Sequence, residues 1–199
     1  MHIEPIFLFD LDGTLVDSVY QHVLAWKAAL DCEGIELAVW RIHRKIGMSG
    51  GLFTHQLLRE TGFEIDPVRI ELLAALTHAK IPWAIATSGR METAVVNLKA
   101  LGVDHHQTAV VTRDDVRHAK PDPDLFLAAA DRLGGGIERA VVVGDSIWDM
   151  LAAARCRALG VGLLSGGYGA DELRQSGAIR VYEDPADLLS HIDEVGGRR

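Results

Sequence analysis

The stretch IFLFDLDGTLVDS, residues 6–18, decides the fold of this chain. Its first four residues are an unbroken apolar run, which is typical of a strand covered on both faces of a parallel sheet. Asp10 and Asp12 end that run, and Gly13 with Thr14 breaks the strand. Because residues i and i+2 of an extended chain point the same way, the two carboxylates are expected to face one site.

Further runs of Ile, Val, Leu and Ala predict the remaining strands, at 81–86, 109–112, 140–144, 159–164 and, as an edge strand, 178–182. Helical stretches lie between several of these strands, at 91–101, 123–133 and 146–156. The alternation of strand and helix predicts an α/β fold built on a doubly wound, Rossmann-like parallel sheet. Helix 91–101 is expected to end at Gly102, and helix 123–133 to begin at Pro123 with Asp122 as its cap.

Residues 17–65 interrupt this alternation and predict a small helical cap inserted after the first strand. The core domain is then 1–16 and 66–199. Three helices are expected in the cap, at 17–34, 36–47 and 49–62, before Asp66 and Pro67 begin the first core helix. The segment 43–51 is the predicted specificity element, where Arg44 and Lys45 either reach an anionic leaving group or end a solvated helix.

Polar side chains follow three of the predicted strands and should converge at one edge of the sheet. Asp10 and Asp12 follow the first strand, Thr87 and Ser88 the second, and Asp145 with Asp149 the strand 140–144. The carboxyl ends of parallel strands are where open α/β sheets bind ligands. Hydroxyl and backbone N–H groups at the start of a helix suit an anion.

This set of side chains predicts a phosphoryl-transfer site. Clustered carboxylates favour Mg²⁺, which keeps open positions for water and phosphate oxygens. Lys120, in the stretch HAKPDPDLF, is placed to add a fixed positive charge. Asp10 would attack phosphorus and form an aspartyl-phosphate. Asp12 would give a proton to the leaving oxygen and later take one from water.

These motifs resemble those of the haloacid dehalogenase-like phosphohydrolase superfamily over nearly all of residues 5–165. DLDGT is similar to the first motif, AIATS to the second, KPDPD to the third and VVVGDSIWD to the fourth. The resemblance implies that Asp10 is the nucleophile and Asp12 the acid and base. It also implies that Thr87 and Lys120 hold the transferring phosphoryl group, with Ser88 contributing through its backbone.

The resemblance further implies a metal site. Mg²⁺ would be bound by Asp10, Asp145 and the main-chain carbonyl of Asp12, and Asp149 would support the metal shell. Asp12 also separates this chain from the dehalogenase branch, which lacks that aspartate, and from the phosphonate-cleaving branch, which has alanine there. The cap is similar to the helical type of phosphoglycolate phosphatases and β-phosphoglucomutases.

The main prediction is therefore a Mg²⁺-dependent phosphatase of a small phosphorylated metabolite. Two alternatives stay open: a phosphomutase of the β-phosphoglucomutase type, and a catalytically weakened binding protein with a truncated cap. The second alternative depends on the connection 62–67, which is shorter than in family members with this cap type. Either the cap is naturally short or a segment of it is missing.

The composition limits the remaining possibilities. Of 199 residues, 48% are hydrophobic and 24% charged, an ordinary globular balance. The net charge of −8 argues against a nucleic-acid backbone or an anionic membrane surface as the main partner. Cys32 and Cys156 lack a metal-binding spacing, and no membrane span or signal peptide is evident. We therefore expect a cytoplasmic protein. We also expect it to be a monomer or a weak homodimer.

Overall fold

In a computed structural model of the protein, the described residues are 5–32, 38–44 and 67–197. Six parallel strands form one sheet in the order β3-β2-β1-β4-β5-β6. In chain order the strands are β1 Ile6–Phe9, β2 Trp83–Ala86, β3 Val110–Val111, β4 Ala140–Gly144, β5 Leu159–Leu163 and β6 Ala178–Tyr182. The sheet grows first to one side of β1 and then to the other, so the predicted doubly wound α/β fold is confirmed.

Eight α-helices lie in the described part of the chain. They are α1 Val19–Cys32, α2 Val39–His43, α3 Pro67–His78, α4 Met91–Ala100, α5 Asp124–Arg132, α6 Ile147–Cys156, α7 Ala170–Gln175 and α8 Pro185–Ser190. Within the described ranges, none of the helices has both the length and the apolar composition that a membrane crossing requires.

The two faces of the sheet explain why the strands are apolar without alternation. Phe7 and Phe9 are fully buried in one hydrophobic core, together with residues of α3, α4 and α8. Ile6 and Leu8 point to the opposite face and pack with residues of α5 and α6. Every side chain of β1 is therefore buried, as expected for a central parallel strand.

Two predicted helix boundaries have different outcomes. Helix α4 ends as expected, because Gly102 has a left-handed φ of +70° and its N–H donates to the carbonyl of Lys99 at 3.1 Å. The prediction that Pro123 is the first helical residue, capped by Asp122, is wrong by one position. Pro123 is itself the N-cap, with φ −81° and ψ −3°, and α5 begins at Asp124.

Helices α1 and α2 lie within the predicted cap, 17–65. Helix α3 begins at Pro67, as predicted. The third predicted cap helix, 49–62, and the connection 62–67 with Asp66 lie outside the described residues, as does Lys45.

Candidate active site

Asp10 and Asp12 follow β1 at the carboxyl edge of the sheet, and their side chains have different surroundings. The N–H of Asp10 donates to the carbonyl of Val143 at 2.9 Å, which continues the pairing of β1 with β4. The Asp10 side chain is only 7% exposed, whereas that of Asp12 is 20% exposed. The more accessible carboxylate is thus the one predicted to exchange protons with the leaving group and with water.

Lys120 lies between two buried carboxylates. Its Nζ donates to Asp10 Oδ1 and lies 2.8 Å from Asp149 Oδ1. The Lys120 side chain is 1% exposed, and its Nζ also lies 5.1 Å from the ring centroid of Phe126 on α5. Burial lowers the pKa of Lys120, but the charges of Asp10 and Asp149 outweigh it, so the net pKa is raised and the ammonium stays charged.

Asp149 is fixed by the start of α6 as well as by Lys120. Its Oδ2 accepts hydrogen bonds from the N–H of Ser146 at 3.1 Å and from the Ser146 hydroxyl at 2.6 Å. The Asp149 N–H in turn donates to Ser146 Oγ at 3.4 Å, which completes a capping box. One carboxylate therefore both caps a helix and pairs with the buried lysine.

The carboxylates of Asp10, Asp145 and Asp149 form a group that could hold a metal ion, with one oxygen of each within 4.8 Å of the others. Thr14 donates a hydrogen bond to Asp145 Oδ1 at 2.9 Å. The side chain of Asp12 does not belong to this group. Asp12 is expected to contribute its main-chain carbonyl instead. That carbonyl ligand stays a prediction.

Two glycines allow the chain to pass close to Asp145. Gly13 has a left-handed φ of +87°, and a Cβ there would lie 2.5 Å from Asp145 Oδ2. A Cβ at Gly166 would lie 1.8 Å from the same oxygen. Ser165 links the two glycine turns, because its hydroxyl donates to the carbonyl of Gly13 at 2.6 Å. Asp145 thus has space for its carboxylate only because these two positions lack side chains.

Burial dominates the acid–base behaviour of the carboxylate group. It raises the pKa of Asp10 to about 7, although the Lys120 ammonium acts in the opposite direction. Burial also raises the pKa of Asp145 well above its usual range, and the charges of Asp10 and Asp149 add to this. Carboxylates that resist ionisation when buried together favour a bound cation, because the cation compensates their charge.

Thr87 and Ser88 lie in the turn that follows β2. The N–H of Thr87 donates to the carbonyl of Val111 at 3.0 Å, and its side chain is 1% exposed. Thr87 Oγ1 accepts the N–H of Gly89 at 3.0 Å and lies 3.5 Å from Asp12 Oδ2. The Ser88 hydroxyl is buried and has no hydrogen-bond partner among the described residues. The structure therefore brings the second motif to Asp12.

Three donors that no sequence motif marks surround Asp12 Oδ1. They are Ser18 Oγ at 2.8 Å, Asn97 Nδ2 at 2.9 Å and His22 Nε2 at 3.3 Å. Burial raises the pKa of Asp12, but the hydrogen bonds from His22 and Ser18 and the charge of Lys120 together lower it below its usual value. Asp12 is therefore ionised in the free protein at neutral pH.

The described part of the cap contacts the loop after β5. His43 Nε2 lies 2.9 Å from the carbonyl oxygen of Gly166, and Tyr168 donates a hydrogen bond to the carbonyl of Arg44 at 3.1 Å. The Arg44 guanidinium pairs with Glu172 on α7 at 2.5 Å and lies over the Tyr168 ring. Of the two alternatives for Arg44, the solvated helix end fits this arrangement, because Arg44 is the C-cap of α2 and its side chain is 46% exposed while it pairs with Glu172.

The site contains the buried carboxylate of Asp10, the paired Lys120 and the more exposed carboxylate of Asp12. It also contains the group of three carboxylates that could hold a divalent cation. Nucleophilic attack by a carboxylate with proton transfer is chemistry that such a set can perform. The fold and the site together define a doubly wound α/β enzyme with a carboxylate-rich centre at the carboxyl edge of its sheet.

The chain belongs to the haloacid dehalogenase-like hydrolases. The model of that family matches residues 5–157, which include every residue of the site described above apart from the loop after β5 and α7. The predictions of this family and of a hydrolase are confirmed.

Curated relatives include several phosphatases. The chain is 36% identical over 177 residues to hexitol phosphatase A of Escherichia coli (strain K12), covering 78% of this chain and 82% of the relative. It is 30% identical over 167 residues to the fructose-1-phosphate phosphatase YqaB of the same organism, covering 73% and 89% of the two chains.

Solved structures agree with this fold. A hydrolase from Pseudomonas syringae has 54% sequence identity and a TM-score of 0.87, with 98% of this chain and 100% of that chain covered. A β-phosphoglucomutase-like protein from Bacteroides vulgatus has a TM-score of 0.83 at 18% identity, over 96% and 88% of the two chains. At that identity the second likeness concerns the fold alone.

Proposed function

We propose that this protein is a Mg²⁺-dependent phosphatase that hydrolyses a small phosphate monoester through an aspartyl-phosphate on Asp10. The observation that carries this proposal is the contact of Lys120 with the buried Asp10 carboxylate, two residues before a more exposed carboxylate, Asp12, at the carboxyl edge of the sheet. The lysine orients Asp10, and the accessible carboxylate is free to exchange a proton with the substrate.

In the first step, a carboxylate oxygen of Asp10 forms a bond to phosphorus as the bond from phosphorus to the leaving oxygen breaks. The electron pair of the broken bond goes to the leaving oxygen, which takes a proton from Asp12. Asp12 is ionised in the free protein, but an incoming phosphate dianion raises the pKa of a neighbouring carboxylate and so favours its protonated form. Lys120 and Thr87 hold the phosphoryl oxygens.

In the second step, a water molecule attacks the phosphorus of the aspartyl-phosphate. Asp12, now ionised, takes a proton from that water, and the bond from phosphorus to Asp10 breaks. Inorganic phosphate leaves and the Asp10 carboxylate is restored. The lowered pKa of Asp12 suits this step, because its ionised form is the one required.

The residues present fit a bound Mg²⁺. Asp10, Asp145 and Asp149 offer hard oxygen ligands within 4.8 Å of one another, and burial of these carboxylates makes a compensating cation favourable. In our proposal Asp10 and Asp145 are ligands, the main-chain carbonyl of Asp12 is a third, and Asp149 supports them. When bound, the ion neutralises charge on the phosphoryl group.

The relatives support a sugar or polyol phosphate as the substrate class. The two E. coli relatives are phosphatases of fructose 1-phosphate and of hexitols, and a phosphoglycolate phosphatase of Agrobacterium fabrum is 28% identical over 191 residues. We propose that the substrate here is a sugar phosphate, a hexitol phosphate or phosphoglycolate.

The test is a panel of these phosphate esters with the purified protein, with Mg²⁺ and with a chelator. We expect release of inorganic phosphate only with Mg²⁺, and loss of that release in Asp10→Asn. Asp171→Asn is the matched control, because Asp171 is 90% exposed on α7 and should leave activity unchanged. Full activity of Asp10→Asn would refute the mechanism. Turnover that requires a sugar bisphosphate and yields an isomeric sugar phosphate would instead identify a mutase.

A further inference from the structure

The two oxygens of the Asp12 carboxylate have unequal surroundings. Oδ1 is within hydrogen-bonding distance of Ser18 Oγ at 2.8 Å, Asn97 Nδ2 at 2.9 Å and His22 Nε2 at 3.3 Å. Among the described residues, Oδ2 has one hydrogen-bonding contact, a long one with Thr87 Oγ1 at 3.5 Å. A carboxylate oxygen with three donors is held in place, so Oδ2 is the oxygen left available for proton transfer.

Asn97 differs from the other two donors in where it comes from. Ser18 and His22 belong to the segment that follows β1 and forms the start of α1. Asn97 belongs to α4, a core helix that packs against the sheet through Ala94 and Leu98. Asn97 therefore anchors Asp12 to the core domain, independently of the segment that leads into the predicted cap.

Packing alone does not account for an asparagine at this position. Asn97 is 3% exposed, and its Oδ1 has no hydrogen-bond partner among the described residues. A buried amide oxygen without a partner is unfavourable, and a leucine of similar size would remove that cost. What the asparagine supplies is the N–H donated to Asp12.

We propose that Asn97 is a positioning residue for the acid–base step: it fixes Asp12 Oδ1 so that Oδ2 points at the leaving oxygen. This inference rests on the proposed phosphatase function and assigns no direct contact of Asn97 with the substrate. Ser18 and His22 still contact Oδ1 when Asn97 is replaced. The carboxylate is then held from one side only, and Oδ2 loses its fixed direction.

The test compares two substrates in Asn97→Leu. An alkyl phosphate, such as a sugar or hexitol phosphate, needs a proton on its leaving oxygen, whereas 4-nitrophenyl phosphate leaves as a stable anion. For each substrate, kcat/KM reports the steps up to departure of the leaving group. We expect it to fall about 10- to 100-fold for the alkyl ester and less than about 3-fold for the aryl ester, since general acid catalysis contributes about 10²–10⁴-fold.

A merely structural role of Asn97 would lower kcat/KM for both substrates in parallel. The substrate ratio, which is kcat/KM for the alkyl ester divided by kcat/KM for the aryl ester, would then be unchanged in Asn97→Leu, and this result would overturn the inference. Leu98→Ala is the control for general damage to α4, because Leu98 is fully buried beside Asn97 and its apolar side chain donates no hydrogen bond to Asp12. Its substrate ratio should stay at the wild-type value. If Asn97→Leu fails to fold, Asn97→Ser replaces it with the same expected ratio.

The same assays separate this inference from the proposed function. A wild-type protein that hydrolyses neither ester, or an Asp10→Asn variant with full activity, refutes the phosphatase mechanism and the positioning role with it. An active wild type with an inactive Asp10→Asn and an unchanged ratio in Asn97→Leu refutes the positioning role alone.

Discussion

Replacing Lys120 by methionine tests how the site compensates its buried carboxylates. The substitution keeps most of the side-chain volume and removes the ammonium that contacts Asp10 and Asp149. Removing one partner of a buried ion pair typically costs about 3–5 kcal/mol, because the remaining charge is left without compensation. We therefore expect a loss of that size at pH 8 in the presence of a chelator.

The loss should depend on pH. Folding raises the pKa of Asp10 from 3.8 to about 7, so the folded state binds this proton more tightly than the unfolded state. This difference in proton binding between the folded and unfolded states corresponds to about 4 kcal/mol, at ~1.4 kcal/mol per tenfold change in proton affinity. At pH 5.5 the Asp10 carboxyl of the folded wild type is neutral and needs no ammonium, whereas at pH 8 it is charged and the Lys120 ammonium compensates that charge. Between pH 8 and pH 5.5 the cost of Lys120→Met should therefore fall by about 1 kcal/mol, because pH 8 lies one tenfold step above the wild-type pKa and each tenfold step is worth ~1.4 kcal/mol.

Urea unfolding at the two pH values measures this effect. With a slope of about 2–3 kcal/mol/M, the midpoint should drop by about 1–2 M at pH 8 and by clearly less at pH 5.5. Lys99→Met is the matched control, because Lys99 is exposed on α4 and should not shift the midpoint at either pH. An equal loss for Lys120→Met at both pH values would refute the reasoning.

Three further predictions concern single contacts. Gly13→Ala should abolish Mg²⁺ binding in calorimetry and lower the melting temperature, because its Cβ would lie 2.5 Å from Asp145 Oδ2; unchanged binding would contradict this. Ser146→Ala should cost about 1 kcal/mol in urea unfolding through loss of the α6 cap, and a cost near zero would contradict it. Burial and the hydrogen bond to Glu194 raise the pKa of Tyr182 to about 12, so folding favours the neutral phenol. Stability should therefore fall as pH rises from about 10 to 12, and this fall should be smaller in Tyr182→Phe.

The sheet could be predicted from the sequence because its strands are continuous apolar runs. The run at 140–144 matches β4 residue for residue, and 178–182 matches the edge strand β6. The run 109–112 was harder to define, since only Val110 and Val111 form ladder pairs with β2. Helix ends depend on local φ and ψ angles, which the residue types do not fix. The predicted start of α5 at Pro123 is therefore wrong by one residue.

The residues of the site that lie in recognisable sequence motifs could be predicted. Asp10, Asp145 and Lys120 each follow a strand or a loop that the sequence marks, and the structure brings them together. Asn97 and His22 could not be predicted, because each is a single polar residue within a helix, and Asn97 is also 85 residues from its partner Asp12. A polar residue at a position where the helical period predicts a buried side chain is the signal that could have revealed Asn97.

The common register of β1, β2 and β4 limits where this chain can change length. Phe9 pairs with Ile85 on one side and with Val143 on the other, so the two strands beside β1 reach the carboxyl edge at the same height. Loss of one residue from any of the three strands would turn the following side chains to the opposite face of the sheet. The turn at 134–136, which precedes β4 at the other edge, has no such constraint. Insertions and deletions among homologues should therefore accumulate at that turn, where they leave the distances within the site unchanged.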